Sequence, residues 1–331
     1  MPISKATARA HPNIALVKYW GKRDEALILP HQSSLSVTLA PLEVRTTVEF
    51  GARADGVELN GAVAEGAEHD RVVRVLDEVR SCVGNSVGAA RVVSKGNFPA
   101  SAGLASSAAG FAALAVAARA AAGLSRNVEL ESRLARLGSG SACRSIQGGT
   151  CIWRRGTRAD GEDSFAIQAF PQSHWPELRL VVAILSREEK AVKSRDGMRQ
   201  TVESSPYYRA WVVDAEAEVE HARAHIAERN LRTLGELAER NAWRMHATAF
   251  AANPPLCYLK PQTLELIQKI AELRTRNVPI WFTLDAGPNP VLLTDAEHEL
   301  AAEAVALACG ASEVIRCRPG GDAALLDEPL F

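Results

Sequence analysis

Five short stretches of this 331-residue chain combine residue types able to handle a small anionic molecule. In FTLDAGPNP (282–290), Asp285 follows an apolar run and precedes a turn. That position suits a turn-forming acid, and its expected burial would also suit a tuned general base. In NIALVKYWGKR (13–23), an aliphatic run gives way to Lys18, Tyr19, Lys22 and Arg23, cations that face either an anion or solvent at a strand end. In LGSGSACRS (137–145), Gly138 and Gly140 permit unusual backbone angles. The serines offer hydroxyls, and Arg144 offers a planar fork for carboxylate or phosphate. KAVKSRDGM (190–198) reads as a polar loop carrying Ser194 and Arg195. PASAGLASSAAGFAAL (99–114) has side chains small enough for a polyphosphate to reach free N–H groups at a helix start, and Ser106 and Ser107 could bind phosphate oxygen or magnesium. The same residues also suit close packing, and no G-K-[ST] ends the stretch as in a Walker loop.

The elements that must hold these stretches follow from periodicity. Residues 34–50 and GVELNG have the Val/Thr content and alternation of strands and read as an antiparallel meander. HDRVVRVLDEVRSCV has helical spacing, GAARVVSKGN returns as a strand, and the Ala-rich run after Leu104 is a strong helix former. A further helix starts near Asn127. After the strand LRLVVAIL come three long helical patterns, then strand, strand, helix and strand to the end. This order predicts an α+β protein of two lobes, 1–185 and 186–331, with a cleft between them.

Composition excludes several function classes. Lys and Arg total 38 against 39 acidic residues with no long basic run, so no footprint for nucleic acid or an anionic membrane is expected. The most apolar run, FAALAVAARAAAGL, is interrupted by Arg119 and too short to span a bilayer. The first residues lack a secretory pattern, so the cytoplasm is expected. Six scattered cysteines without C-x-x-C read as reduced, mostly buried thiols. His221 and His225 share a helix face, but no glutamate stands between them in a zincin pattern, and they read as exposed.

Taken in order, NIALVKYWGKRDEALILP, SSLSVTL, NFPASAGLASSAAGFAALA, RLGSGSACRSIQGG, SRDGMRQTVESSP and DAGPNP resemble the diphosphomevalonate decarboxylase family. That family belongs to the superfamily of galactokinase, homoserine kinase, mevalonate kinase and phosphomevalonate kinase. The resemblance implies an N-terminal lobe like a ribosomal-protein β-α unit, a ferredoxin-like C-terminal lobe and a homodimer. It also implies ATP with Mg2+ and the substrate 5-diphosphomevalonate, decarboxylated to isopentenyl diphosphate. Carried over onto this chain, the nucleotide loop is Ser101, Gly103, Leu104, Ala105, Ser106 and Ser107, with Ser107 approaching the metal. The substrate pocket is Tyr19, Lys22, Ser139, Gly140, Ser141, Arg144, Ser194, Arg195 and Met198. Asp285, Lys18 and Arg144 take the catalytic positions. Gln32 stands where the family usually has Asn, Ala100 where it has Thr, and Pro290 where it has Ala. The nearest alternative is a mevalonate 3-kinase or a 5-phosphomevalonate decarboxylase with the same loop and the same aspartate.

Overall fold

The computed structural model describes residues 5–98 and 106–331. One sheet runs in the order Ala324–Leu326, Lys5–Ala10, Val44–Ala52, Ala89–Gly96, Gly56–Leu59, Ala62–Val63. The helices Gly66–Cys82 and Ser106–Ala121 share its hydrophobic core. The first turns Val72, Val75, Leu76 and Val79 inward at helical spacing. The second is buried on nearly every face, and its alanines let neighbouring backbones approach closely. Helix Val128–Gly138 packs beside it, started by Asn127, whose side chain accepts from the Leu130 N–H.

The expected meander does not form. Ser34–Ala40 and Val44–Ala52 lie in different sheets, with the chain changing sheets at Pro41–Glu43. Gly56–Leu59 pairs in parallel with Ala89–Gly96. The helix between these two strands is the crossover that parallel pairing needs, as a tight hairpin cannot supply it.

The second sheet runs Ala166–Phe170, Thr150–Trp153, Ser34–Ala40, Glu313–Pro319, Leu178–Ile184, Val291–Asp295, Trp281–Thr283, with Asn13–Val17 on Ser34–Ala40. Strand alternation sorts its core. Leu178, Leu180, Val182 and Ile184 share one cluster with residues of helices Tyr208–Ala227 and Leu231–Phe250. Val181 and Ala183 pack in another with residues of Pro261–Thr275 and Glu299–Ala308. Residue 185 lies just past Leu178–Ile184, a strand whose two neighbours both come from the C-terminal part of the chain. The sheet therefore continues across that point, and Ala324–Leu326 returns to the first sheet against Lys5–Ala10.

Candidate active site

The site gathers where the end of strand Asn13–Val17 meets the turn after Trp281–Thr283. A register shift between Ala15 and Val17 precedes the ladder's last pair, Val17 with Leu35, and the chain leaves the strand at Lys18. The Lys18 ammonium, 1% exposed, donates to Asp285 Oδ1 at 2.6 Å and to the Ala15 carbonyl at 2.8 Å. Burial pushes the lysine below its usual range, and the Asp285 charge opposes that. Asp285 is not enclosed as the sequence suggested. Its side chain is 35% exposed, because the turn holds it at the sheet's end with one carboxylate edge clear of the lysine. The turn itself is fixed by Gly287 N–H on the Asp285 carbonyl at 2.7 Å and by Thr263 Oγ1 on the Pro288 carbonyl.

Arg144 sits in the 3-10 helix Gly140–Ser145 and is 2% exposed. Its Nε donates to Ser36 Oγ at 2.9 Å and Asn13 Oδ1 at 3.3 Å, and Nη1 donates to Ser34 Oγ. Asn13 in turn donates to Ser145 Oγ and the Ser141 carbonyl, so the fork is locked from both sides. Gly138 and Gly140 are needed for close approach rather than for backbone angle, since neither has a positive φ. A Cβ on Gly138 would fall 1.9 Å from the Phe111 ring, and one on Gly140 would fall 2.8 Å from Tyr19. Tyr19 packs on Trp153 with ring centres 4.7 Å apart, and burial pushes its hydroxyl pKa up.

Of the expected nucleotide-loop residues, Ser101, Gly103, Leu104 and Ala105 lie outside the described residues. Ser106 opens the helix and Ser107 is exposed on its first turn. The Ser107 hydroxyl lies 3.4 Å from that of Ser139, which lies 3.5 Å from that of Ser141. These hydroxyls form a line from the helix start to the Arg144 segment. Oxygen donors of this kind suit Mg2+, which keeps several waters and shares phosphate oxygens.

On the third side the polar loop is shorter than expected, because helix Ser194–Ser204 starts inside it. Lys190 donates to Ser194 Oγ at 3.2 Å, and the Asp285 charge opposes the effect of burial on that lysine. Arg195 is exposed and close enough to Lys22 and Arg71 to disfavour their charged forms, in both cases behind burial as the main cause. Lys22, 7% exposed, pairs with Glu25. Arg23 turns away to the carbonyls of Arg155, Gly156 and Arg158. Met198 is buried beside Trp20, Tyr208 and Tyr258, with its helix held close because Gly197 faces the Tyr258 hydroxyl.

Several site residues carried no signal of their own. Ser34 and Ser36 alternate on a strand as any polar pair does, and Arg71 sits within an ordinary amphipathic helix. His246 is fully buried beside Tyr258 and Phe250, with the carbonyls of Leu284 and Asp285 facing its ring. Burial and the nearby Lys18 charge push it down to about 4.

Known proteins share this arrangement. Residues 10–166 match the family described as diphosphomevalonate decarboxylase-like N-terminal domain, and residues 180–315 match the mevalonate 5-diphosphate decarboxylase C-terminal domain. The diphosphomevalonate decarboxylase of Bos taurus is 40% identical over 314 residues, covering 88% of this chain and 77% of its own. The crystal structure of mevalonate diphosphate decarboxylase from Staphylococcus aureus superposes with a TM-score of 0.92 at 35% identity, covering 98% of each chain. A structure of MDDEF in complex with MVAPP, AMPPCP and magnesium superposes at 0.90 with 39% identity, covering 98% of this chain and 99% of the other. The α+β architecture is therefore the fold of the galactokinase and mevalonate kinase superfamily, and the chain belongs to the diphosphomevalonate decarboxylase family.

Proposed function

We propose how these residues divide the ATP-dependent decarboxylation of (R)-5-diphosphomevalonate to isopentenyl diphosphate, ADP, phosphate and carbon dioxide. The observation that carries the reading is the Lys18–Asp285 pair, closed around the lysine and open at the acid. A β-hydroxy acid has no carbonyl to take the electrons released with carbon dioxide, and hydroxide leaves poorly. The C3 oxygen must first become a phosphate ester.

Asp285 accepts the C3 hydroxyl proton as that oxygen attacks the γ-phosphorus and the bond to ADP breaks. Lys18 holds the carboxylate in place and offsets the charge gathering on the transferred group. The C3–O bond then breaks with its electrons on phosphate. C3 is tertiary and bears the developing positive charge. The C–C bond to the carboxylate breaks, and its electrons form the alkene. Arg144 orients that carboxylate: among the described residues its hydrogen bonds leave from Nε and Nη1, which keeps Nη2 for the substrate.

Lys22, Tyr19, Ser194 and Arg195 hold the diphosphate tail, and this remote binding energy is used at the reacting carbon. Ser139, Gly140, Ser141 and Met198 complete the pocket wall. Ser101 to Ser107 cradle the ATP phosphates, with Ser107 reaching the magnesium that travels with ATP. In this reading 1–185 brings the nucleotide and the tail contacts Tyr19 and Lys22, and 186–331 brings the base and the tail contacts Ser194 and Arg195. A homodimer in the cytoplasm belongs to the same reading; the setting is supported by six cysteines that are all free.

The test supplies ATP with mevalonate, its 5-phosphate or its 5-diphosphate and measures ADP and carbon dioxide together. Both products are expected in equal amounts from the 5-diphosphate. ADP without carbon dioxide would show a 3-kinase, and turnover chiefly of the 5-phosphate would move the substrate assignment.

A further inference from the structure

Lys18 owes its place to more than the strand that precedes it. Because the ladder ends at Val17, the Lys18 N–H has no strand partner, and it donates instead to Asn241 Oδ1 at 2.8 Å. Asn241 is fully buried on helix Leu231–Phe250. Its Nδ2 donates to Glu218 Oε2 on helix Tyr208–Ala227, a carboxylate only 5% exposed. The other oxygen, Glu218 Oε1, accepts from Arg244 Nη1 at 2.8 Å and lies 3.5 Å from Arg240 Nε. The chain Arg244–Glu218–Asn241–Lys18 has one direction. A carboxylate fixed by arginines can only accept, so the amide must offer Glu218 its nitrogen and Lys18 its oxygen.

We propose that Asn241 is a positioning residue for the Lys18–Asp285 pair and that Glu218 sets the direction of its amide. This rests on the reading of that pair as the reacting one. Neither residue touches the cleft, and their effect passes through the backbone nitrogen of Lys18. Misplacement of a reacting group by about 1 Å can cost on the order of a hundredfold in rate.

The chemistry supplies a reciprocal test. In Glu218→Gln, Arg244 claims the new amide oxygen, so the amide nitrogen faces Asn241 and turns the asparagine donor toward the Lys18 N–H. In Asn241→Asp, two carboxylates face each other. In Glu218→Gln with Asn241→Asp the acid and the amide trade places, the charge is conserved, and every donor again meets an acceptor.

Each single change is expected to lower kcat by about ten- to a hundredfold, with KM for ATP and 5-diphosphomevalonate within about twofold. The double change is expected to restore most of kcat. A merely structural role would lower melting temperature without this pattern, leaving kcat per folded molecule unchanged, and that result overturns the proposal. So does a double variant no faster than the better single. If one single variant does not fold, the other single against the double carries the same comparison. Asp285→Asn is assayed alongside. Retained turnover there defeats the reading of the pair, whereas lost turnover together with unaffected Asn241 and Glu218 variants defeats the positioning role alone.

Discussion

Arg119–Glu131 and Lys18–Asp285 are both ion pairs built on a buried cation, and they differ in how far the acid is covered. Arg119 and Glu131 join two helices with Nε to Oε1 at 2.9 Å, their side chains 7% and 2% exposed, and the Leu124 carbonyl takes a further N–H. Lys18 is as closed as Arg119, but its carboxylate partner is partly exposed. Burial acts on both, pushing the Glu131 carboxyl up and the Lys18 ammonium down. The closed pair has its hydrogen bonds satisfied within the fold, and the open pair leaves a carboxylate edge for a ligand. The uncovered acid, rather than the separation, distinguishes Asp285 from Glu131.

Asp285→Asn should give the largest effect: turnover falling about 10²–10⁴-fold with the melting temperature little changed, measured as ADP release. Near-normal turnover would erase the contrast. Arg119→Met strands the Glu131 carboxylate and should cost about 3–5 kcal/mol in urea unfolding while kcat per folded molecule holds. Adding Glu131→Leu should recover most of that loss. A fall in kcat at unchanged stability would instead tie the closed pair to the reaction.

His246 sharpens the comparison from beneath the open pair. Its folded pKa lies below the unfolded value, so the unfolded chain binds the extra proton, and stability falls as pH drops from about 6.5 through about 4. Between pH 7 and pH 5 this amounts to about 2 kcal/mol, which His246→Leu should remove from the urea curves. An unaltered pH dependence would show that another group carries it. The smallest effect is expected at the serine line: Ser139→Ala should raise KM for 5-diphosphomevalonate by about fivefold, the equivalent of one modest hydrogen bond of about 1 kcal/mol. An unchanged KM would detach that hydroxyl from the substrate pocket.

The site was legible in the sequence where chemistry is written in consecutive residues. Lys18 and Lys22 share one short run, Arg144 follows two glycines and two serines, and Asp285 follows an apolar strand. Long helices are readable too, and the second of the three helical patterns after LRLVVAIL forms Leu231–Phe250. Hidden features depended on partners far away in the chain. Asn241 is one polar residue in a helix until the fold sets it on the Lys18 N–H. The meander failed because Pro41–Glu43 looks like a hairpin turn, and only the packed core shows that it changes sheets. Gly138 and Gly140 were noticed for backbone freedom, yet their worth lies in the rings of Phe111 and Tyr19 against them.

The pairing of Ala324–Leu326 with Lys5–Ala10 has a consequence for synthesis. Thr7 faces Leu326, so the first strand made waits for almost the last before that edge is paired. Until then the nascent chain carries an open strand edge next to its most alanine-rich helix, which is the exposure that invites wrong pairing. That sheet is thus closed by a segment distant in the chain, and its N-terminal strands alone leave the Lys5–Ala10 edge open.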